Sequence, residues 1–197
     1  MKLLKPPQTA ALTRTPRRRR VLALCGDTQV GLWMVRSLGS GGLKPFAVCV
    51  SPNGLAAHSR YAAGAWMVEH PARHPDFIDE LLTLARRLNV GSIITISETY
   101  HSVLIANRRL FEPDIRLLSP GADQFAKATD KDFMYRLCLS LGVPVARGST
   151  LDKITDNPSD LRFPLVLRSR TLNDPAAPKA PWKAAYAATP DQPPADA

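Results

Sequence analysis

Along residues 21–128, short apolar runs alternate with stretches whose apolar positions recur at helical spacing. Val21-Leu22-Ala23-Leu24-Cys25 is a compact first strand that runs into Gly26-Asp27-Thr28. A helix follows with Val30, Trp33, Met34 and Leu38 on one stripe, and Gly39-Ser40-Gly41-Gly42 ends it. Lys44–Val50 reads as the second strand, and Ala65–Glu69 as the third after a loop with turn chemistry at Pro52-Asn53-Gly54. Pro75 and Asp76 open a helix with a broad apolar face: Phe77, Ile78, Leu81, Leu82, Leu84, Ala85 and Leu88. Val90–Ile96 is a buried strand, a helix runs through Leu104 and Ile105 to Phe111, Ile115–Leu118 is a short strand, and Ala122–Ala128 a further helix. Strands alternating with helices without tandem repeats predict an α/β fold, a parallel sheet covered by helices on both faces.

The pattern then changes. Thr129 or Asp130 can cap a helix carrying Phe133, Met134, Leu137, Leu139 and Leu141, with Gly142 as its stop. Val143-Pro144-Val145 is extended, because a residue before proline is pushed out of the helical region. Phe163-Pro164-Leu165-Val166-Leu167 is a continuous apolar run of the kind a strand covered on both faces shows, and Arg168 stands where it emerges. From Thr171 onward prolines recur at 175, 178, 181, 190, 193 and 194, leaving one strand candidate at 182–187 and a frayed tail over 191–197.

Charge refines this picture only once it is located. The net charge is +9, but residues 1–20 contribute seven cations and no acid, leaving +2 for the rest. Residues 1–19 are expected to form a disordered basic arm, since like charges repel and scarcely any apolar period is present. The arm lacks the interleaved aromatics of a single-strand binder, so nucleic acid is not the expected partner. No run approaches the roughly eighteen apolar residues a membrane span requires. Three separated cysteines, Cys25, Cys49 and Cys138, have no metal-ligand spacing and suit reduced thiols in a cytoplasmic protein.

The order Asp130-Lys131, helix, Leu141-Gly142-Val143-Pro144-Val145, then Phe163-Pro164-Leu165-Val166-Leu167-Arg168 resembles the ATP-grasp superfamily. The likeness falls at the junction between its Rossmann-like pre-ATP-grasp domain and the first nucleotide-binding lobe. It implies a Rossmann-like domain over 20–128 and a partial α+β ATP-grasp lobe over 129–190. It also implies that Lys131 and Arg168 bind ATP, and a guanidinium in place of the commoner lysine still grips phosphate oxygens bidentately. The same likeness gives His58-Ser59-Arg60-Tyr61 as the approach to a short strand. It makes Glu98 and Thr99, in Ser97-Glu98-Thr99-Tyr100, candidates for the substrate pocket, together with Gly26 and Asp27 in the first loop. Glu98 has an equally plain role as a carboxylate opening a helix. The Gly26 turn is expected to serve geometry first, because neither a dinucleotide fingerprint nor a P-loop can be read there. His101 is a further polar group at the sheet edge, whereas His70 and His74 flank prolines with no partner carboxylate legible.

Members of that superfamily use ATP and Mg²⁺ to ligate a carboxylate to an amine or thiol through an acyl phosphate. Set against them, this chain reads as a truncated front end. The metal-holding second lobe is not legible, and no magnesium ligand can be named. The expected activity is therefore weak ATP binding without catalysis, with a small-molecule carboxylate or amine as substrate and a separate chain supplying the second lobe. The alternative is a non-catalytic Rossmann-like binding or interaction module; an NAD-dependent oxidoreductase is disfavoured by the absent fingerprint.

Overall fold

In the computed structural model the described residues are 1–24, 26–149, 162–170, 184–189 and 195–196. They fall into two units, Met1–Gly121 and Ala122–Ala197. The first unit holds a six-stranded sheet in the order β1-β4-β3-β2-β5-β6. Its strands are β1 (Lys2–Lys5), β2 (Arg20–Leu24), β3 (Lys44–Cys49), β4 (Gly64–Met67), β5 (Ser92–Ile94) and β6 (Arg116–Leu117). β2 to β6 are parallel to their neighbours and β1 runs antiparallel to β4 at the edge. The helices are α1 (Thr9–Thr13), α2 (Gln29–Ser40), α3 (Phe77–Arg87), α4 (Glu98–Ala106) and α5 (Arg108–Phe111). This is the α/β sheet that the alternation predicts, with strands shorter at their ends than the apolar runs.

Alternation along the central strands builds two different layers. Leu22 and Leu24 of β2, Phe46 and Val48 of β3, and Trp66 of β4 join Phe77, Leu81, Leu84, Leu104, Phe111 and Ile115 in the larger core. Burial of each such side chain is worth about 1.5–3 kcal/mol. The other face is lined by alanines in register, Ala23 against Ala47 and Ala47 against Ala65. That low surface lets α2 approach closely, so the helix turns Gly31 and Val35 inward, with Met34 and Leu38 packed beside them. Val30 and Trp33, expected on the buried stripe, are instead half-exposed at 50% and 54%. Helix spacing alone does not say which side a narrow alanine row selects.

Residues 1–19 depart from expectation, and the correction is physical. They are not a free arm in this structure: β1 pairs with β4 from Lys2↔Met67 to Lys5↔Ala65, and Ala11 of α1 is buried in the larger core. Gln8 donates its backbone N–H to the Ala63 carbonyl at 2.7 Å, and Lys5 Nζ donates to the Ser59 carbonyl at 2.8 Å. The two arginines at the ends of the apparent repelling run are bonded to carbonyls. Arg17 donates to the carbonyls of Val90 and Asp114, and the buried Arg20 to those of Thr15, Leu88 and Leu12. Arg20, the buried one of the two, is held as a desolvated cation must be, by several acceptors at once.

The second unit contains α6 (Ala122–Thr129), α7 (Lys131–Ser140) and a three-stranded antiparallel sheet, β7 (Leu165–Arg168), β8 (Ala184–Ala187) and β9 (Ala195–Asp196). The compact-unit boundary at Gly121 places α6 with this unit rather than with the first domain, where the 20–128 division assigns it. β7 is an edge strand whose burial alternates, with Val166 51% exposed, so it is not covered on both faces as its apolar run suggests. The strand candidate at 182–187 is a strand over Ala184–Ala187. Cys25, Trp182, Lys183 and most of the proposed tail lie outside the described residues.

Candidate functional site

In the first unit, the carboxyl ends of parallel strands β2 to β6 present their following loops at one edge of the sheet. Gly26 follows β2, wedged between layers: its N–H donates to the Val48 carbonyl at 2.9 Å and its carbonyl accepts from Ala56 at 2.8 Å. A Cβ at residue 26 would stand 2.5 Å from Cys49 Sγ, so the glycine is required by close packing. Asp27 holds the exit of β3, Oδ2 accepting from Val50 N at 2.6 Å and Oδ1 from Ser51 N at 2.9 Å. Burial, followed by the Asp27 carboxylate, pushes the Cys49 thiol up to about 12, which keeps it protonated and inert.

Glu98 is the exposed first residue of α4, capped by Ser97, whose Oγ accepts from Tyr100 N. Thr99 is half-buried in the same turn. β5 neighbours β2 in the sheet, so Gly26-Asp27 and Glu98-Thr99 share an edge. Sequence reasoning missed the nearby hydrogen bond of 2.8 Å between His101 Nδ1 and Ser119 Oγ, which joins α4 to the loop after β6. Burial pulls His101 below the usual histidine range.

In the second unit, Asp130 is the cap that sequence leaves open between it and Thr129: its Oδ1 accepts from Asp132 N at 3.0 Å and Phe133 N at 3.1 Å. Gly142 stops the following helix with φ of 68°. Lys131, the first residue of α7, donates through its backbone N–H to the Arg170 carbonyl at 3.2 Å and through Nζ to the same oxygen at 3.3 Å. The start of α7 and the end of β7 are therefore stapled together. Arg168 closes β7, exposed, opposite Ala184. The residue sequence reasoning missed is Arg170. Its Nε lies 3.0 Å from both Asp130 oxygens and its Nη2 lies 2.6 Å from Oδ2. An acid immediately before Lys131 and a second arginine two residues beyond Arg168 were the available signal.

The Arg170 guanidinium, with the two backbone amides, holds the Asp130 carboxyl down at about 2 against an ordinary 3.8. A carboxyl depressed on folding stabilises the fold above its unfolded value and loses that contribution as pH falls towards the folded one. Wild type and Arg170→Ala are therefore expected to differ in thermal midpoint at pH 6 and to converge as pH falls through 3.8 towards 2. The Arg170 side chain is 61% exposed, so solvent screens the pair and the difference at pH 6 should be small, about 1 kcal/mol or less. Asp130→Ala should cost about 1 kcal/mol more through the lost cap. A pH-independent gap between wild type and Arg170→Ala would contradict this assignment.

No protein-family model matches the sequence, and no curated protein matches it. Solved structures share its fold. The biotin carboxylase domain of the Hydrogenobacter thermophilus 2-oxoglutarate carboxylase, in complex with MgADP, ADP and bicarbonate, is 17% identical over 79% of this chain and 36% of that one, with a TM-score of 0.54. The Campylobacter jejuni biotin carboxylase, a β,γ-ATP complex, is 18% identical over 77% and 35%, with a TM-score of 0.55. The biotin carboxylase domain of a single-chain bacterial carboxylase is 22% identical over 74% and 34%, with a TM-score of 0.52. The chain spans about a third of the length of these structures. At such identities the likeness is one of fold, the α/β fold of the biotin carboxylase N-terminal domain.

Proposed function

We propose that this chain is the N-terminal portion of an ATP-grasp ligase, one that activates a small carboxylate with ATP for attack by an amine or thiol. The observation that carries this reading is the staple between Lys131 and Arg170, which sets a lysine at a helix start beside the arginine-bearing end of β7. ATP supplies the phosphoryl group, and the donors suit its phosphates: one Lys131 Nζ proton is engaged by a carbonyl, and the Arg168 guanidinium is exposed. The fold likeness to proteins solved with MgADP, ATP and bicarbonate supports the same class of ligand. Gly26, Asp27, Glu98 and Thr99 are the acceptor-substrate candidates. A cytoplasmic setting, where ATP is supplied, suits the free thiols Cys49 and Cys138.

Magnesium fits less well. Asp130 and Asp132, the acids flanking Lys131, are each taken by an arginine, Arg170 at 2.6 Å and Arg136 at 2.5 Å. Mg²⁺ demands carboxylates free to complete an octahedral oxygen shell. This is the observation that favours the second reading, a non-catalytic binding module, and it is why catalysis by these 197 residues alone is not expected. The first reading requires a second lobe to hold the metal, and a separate chain is one way to supply it. Titration of the purified chain with ATP should give a Kd of about millimolar, weakened several-fold by Lys131→Ala and by Arg168→Ala. Affinity unchanged in both variants would place the nucleotide elsewhere and remove this reading.

A further inference from the structure

We propose that the connection between β4 and α3 is a binding site for a divalent transition metal of the zinc class, with His70, His74 and Asp76 as ligands. One ligand atom from each residue lies within 4.8 Å of the others. His70 Nε2 is 3.9 Å from Asp76 Oδ2, and His74 Nδ1 is 3.6 Å from the same oxygen. Ligands about 2.0–2.1 Å from a tetrahedral zinc stand about 3.3 Å apart, so these two separations must close by roughly 0.3–0.6 Å, and the remaining one lies within 4.8 Å. His74 Nδ1 accepts from Asp76 N at 3.2 Å, a contact the metal would replace, and the ring is exposed with room to turn.

Three details set this cluster apart from histidines that merely sit in a loop. Asp76 occupies the N-cap position of α3 but makes no side-chain cap; its carboxylate faces the two imidazoles instead. The imidazoles are already stacked, with centroids 4.4 Å apart. His70 Nδ1 is buried without a hydrogen bond, 3.4 Å from Glu80 Oε2. A carboxylate outside the ring is what commonly fixes the orientation of a metal-bound histidine. Glu80 is itself anchored, accepting from Glu69 N at 3.0 Å and His70 N at 3.4 Å.

The donor set selects the ion. Two imidazoles and one carboxylate suit zinc, whereas calcium and magnesium prefer oxygen alone. Three protein ligands leave a fourth position for water. A cavity of about 460 Å³ whose lining includes His70, Asp76, Glu80 and Arg87 gives the ion an entry path. Bound metal would tie the loop after β4 to the first turns of α3, because all four residues lie between 70 and 80.

The test uses the untagged full chain, titrated with Zn²⁺ by calorimetry and with Co²⁺ by visible absorption. One ion per chain is expected, with a Kd of about micromolar or tighter, the absorption of four-coordinate Co²⁺, and no displacement by excess Mg²⁺. His70→Ala, His74→Ala and Asp76→Asn should each weaken binding at least about tenfold, and Glu80→Gln by about 10–100-fold with stoichiometry unchanged. His74 and Asp76 are exposed, so those variants retain the fold, which circular dichroism checks. Zinc affinity unchanged in the His74 and Asp76 variants, or saturation only at millimolar zinc, would overturn the proposal.

Discussion

Removing residues 1–19 is expected to lower the thermal midpoint by about 10–20 °C, corresponding to about 3–5 kcal/mol at about 4 °C per kcal/mol for a unit of this size. The loss has three sources. β4 becomes an unprotected edge when the β1 ladder goes, and each hydrogen bond in it is worth about 1 kcal/mol net. The Ala11 side chain leaves the core. Arg20 remains in the shortened chain but loses the Leu12 and Thr15 carbonyls, keeping only that of Leu88 among these three. A buried guanidinium stripped of acceptors is costly. Gly91 and Gly64 report the same docking, since an added Cβ would meet the Arg17 carbonyl at 2.8 Å and Pro7 Cα at 3.1 Å. Differential scanning calorimetry of the two chains decides it; a midpoint unchanged within error would mean that the segment does not dock in solution.

The segment's illegibility has a cause. Lys2-Leu3-Leu4-Lys5 is too short to show a period, and its stabilisation comes from pairing with β4 some sixty residues away. α1 has five residues and one buried side chain, so no apolar face can be read from it. Central strands were legible for the opposite reason: β2 is buried at every position, which after Arg20 demands the uninterrupted apolar run Val21–Leu24 that the sequence displays. Local signals survived as well, in the Asp130 cap and the Gly142 stop.

Site residues followed the same division. Lys131 and Arg168 are candidates through motif resemblance, whereas the Asp130–Arg170 pair joins residues forty positions apart and leaves no periodic trace. His70 and His74 looked partnerless because Asp76 reads, by type and place, as a helix cap. Only the turned carboxylate reveals the other use.

Gly26→Ala is the substitution that separates a packing role for the first loop from a phosphate-binding one. The new methyl would stand 2.5 Å from Cys49 Sγ, 3.2 Å from the Val48 carbonyl and 3.3 Å from Ala56 Cβ. Cys49 is fully buried, so its sulfur has little space to yield, and Gly54 closes the far side: a Cβ there would lie 2.4 Å from the same sulfur. Overpacking of this kind costs about 1–3 kcal/mol, and the upper end is expected where both neighbours are fixed. Cys49→Ala alone should cost about 1 kcal/mol through a small cavity. In the double variant the methyl occupies space the sulfur vacated, so the combined loss should fall short of the sum by about 1–2 kcal/mol, as in other contacting pairs. Urea titrations of the four proteins measure that coupling. Additive losses would show that Gly26 and Cys49 do not touch. A Gly26→Ala chain of unchanged stability but weakened ATP binding would instead make the loop a phosphate cradle, and would move the nucleotide away from Lys131 and Arg168.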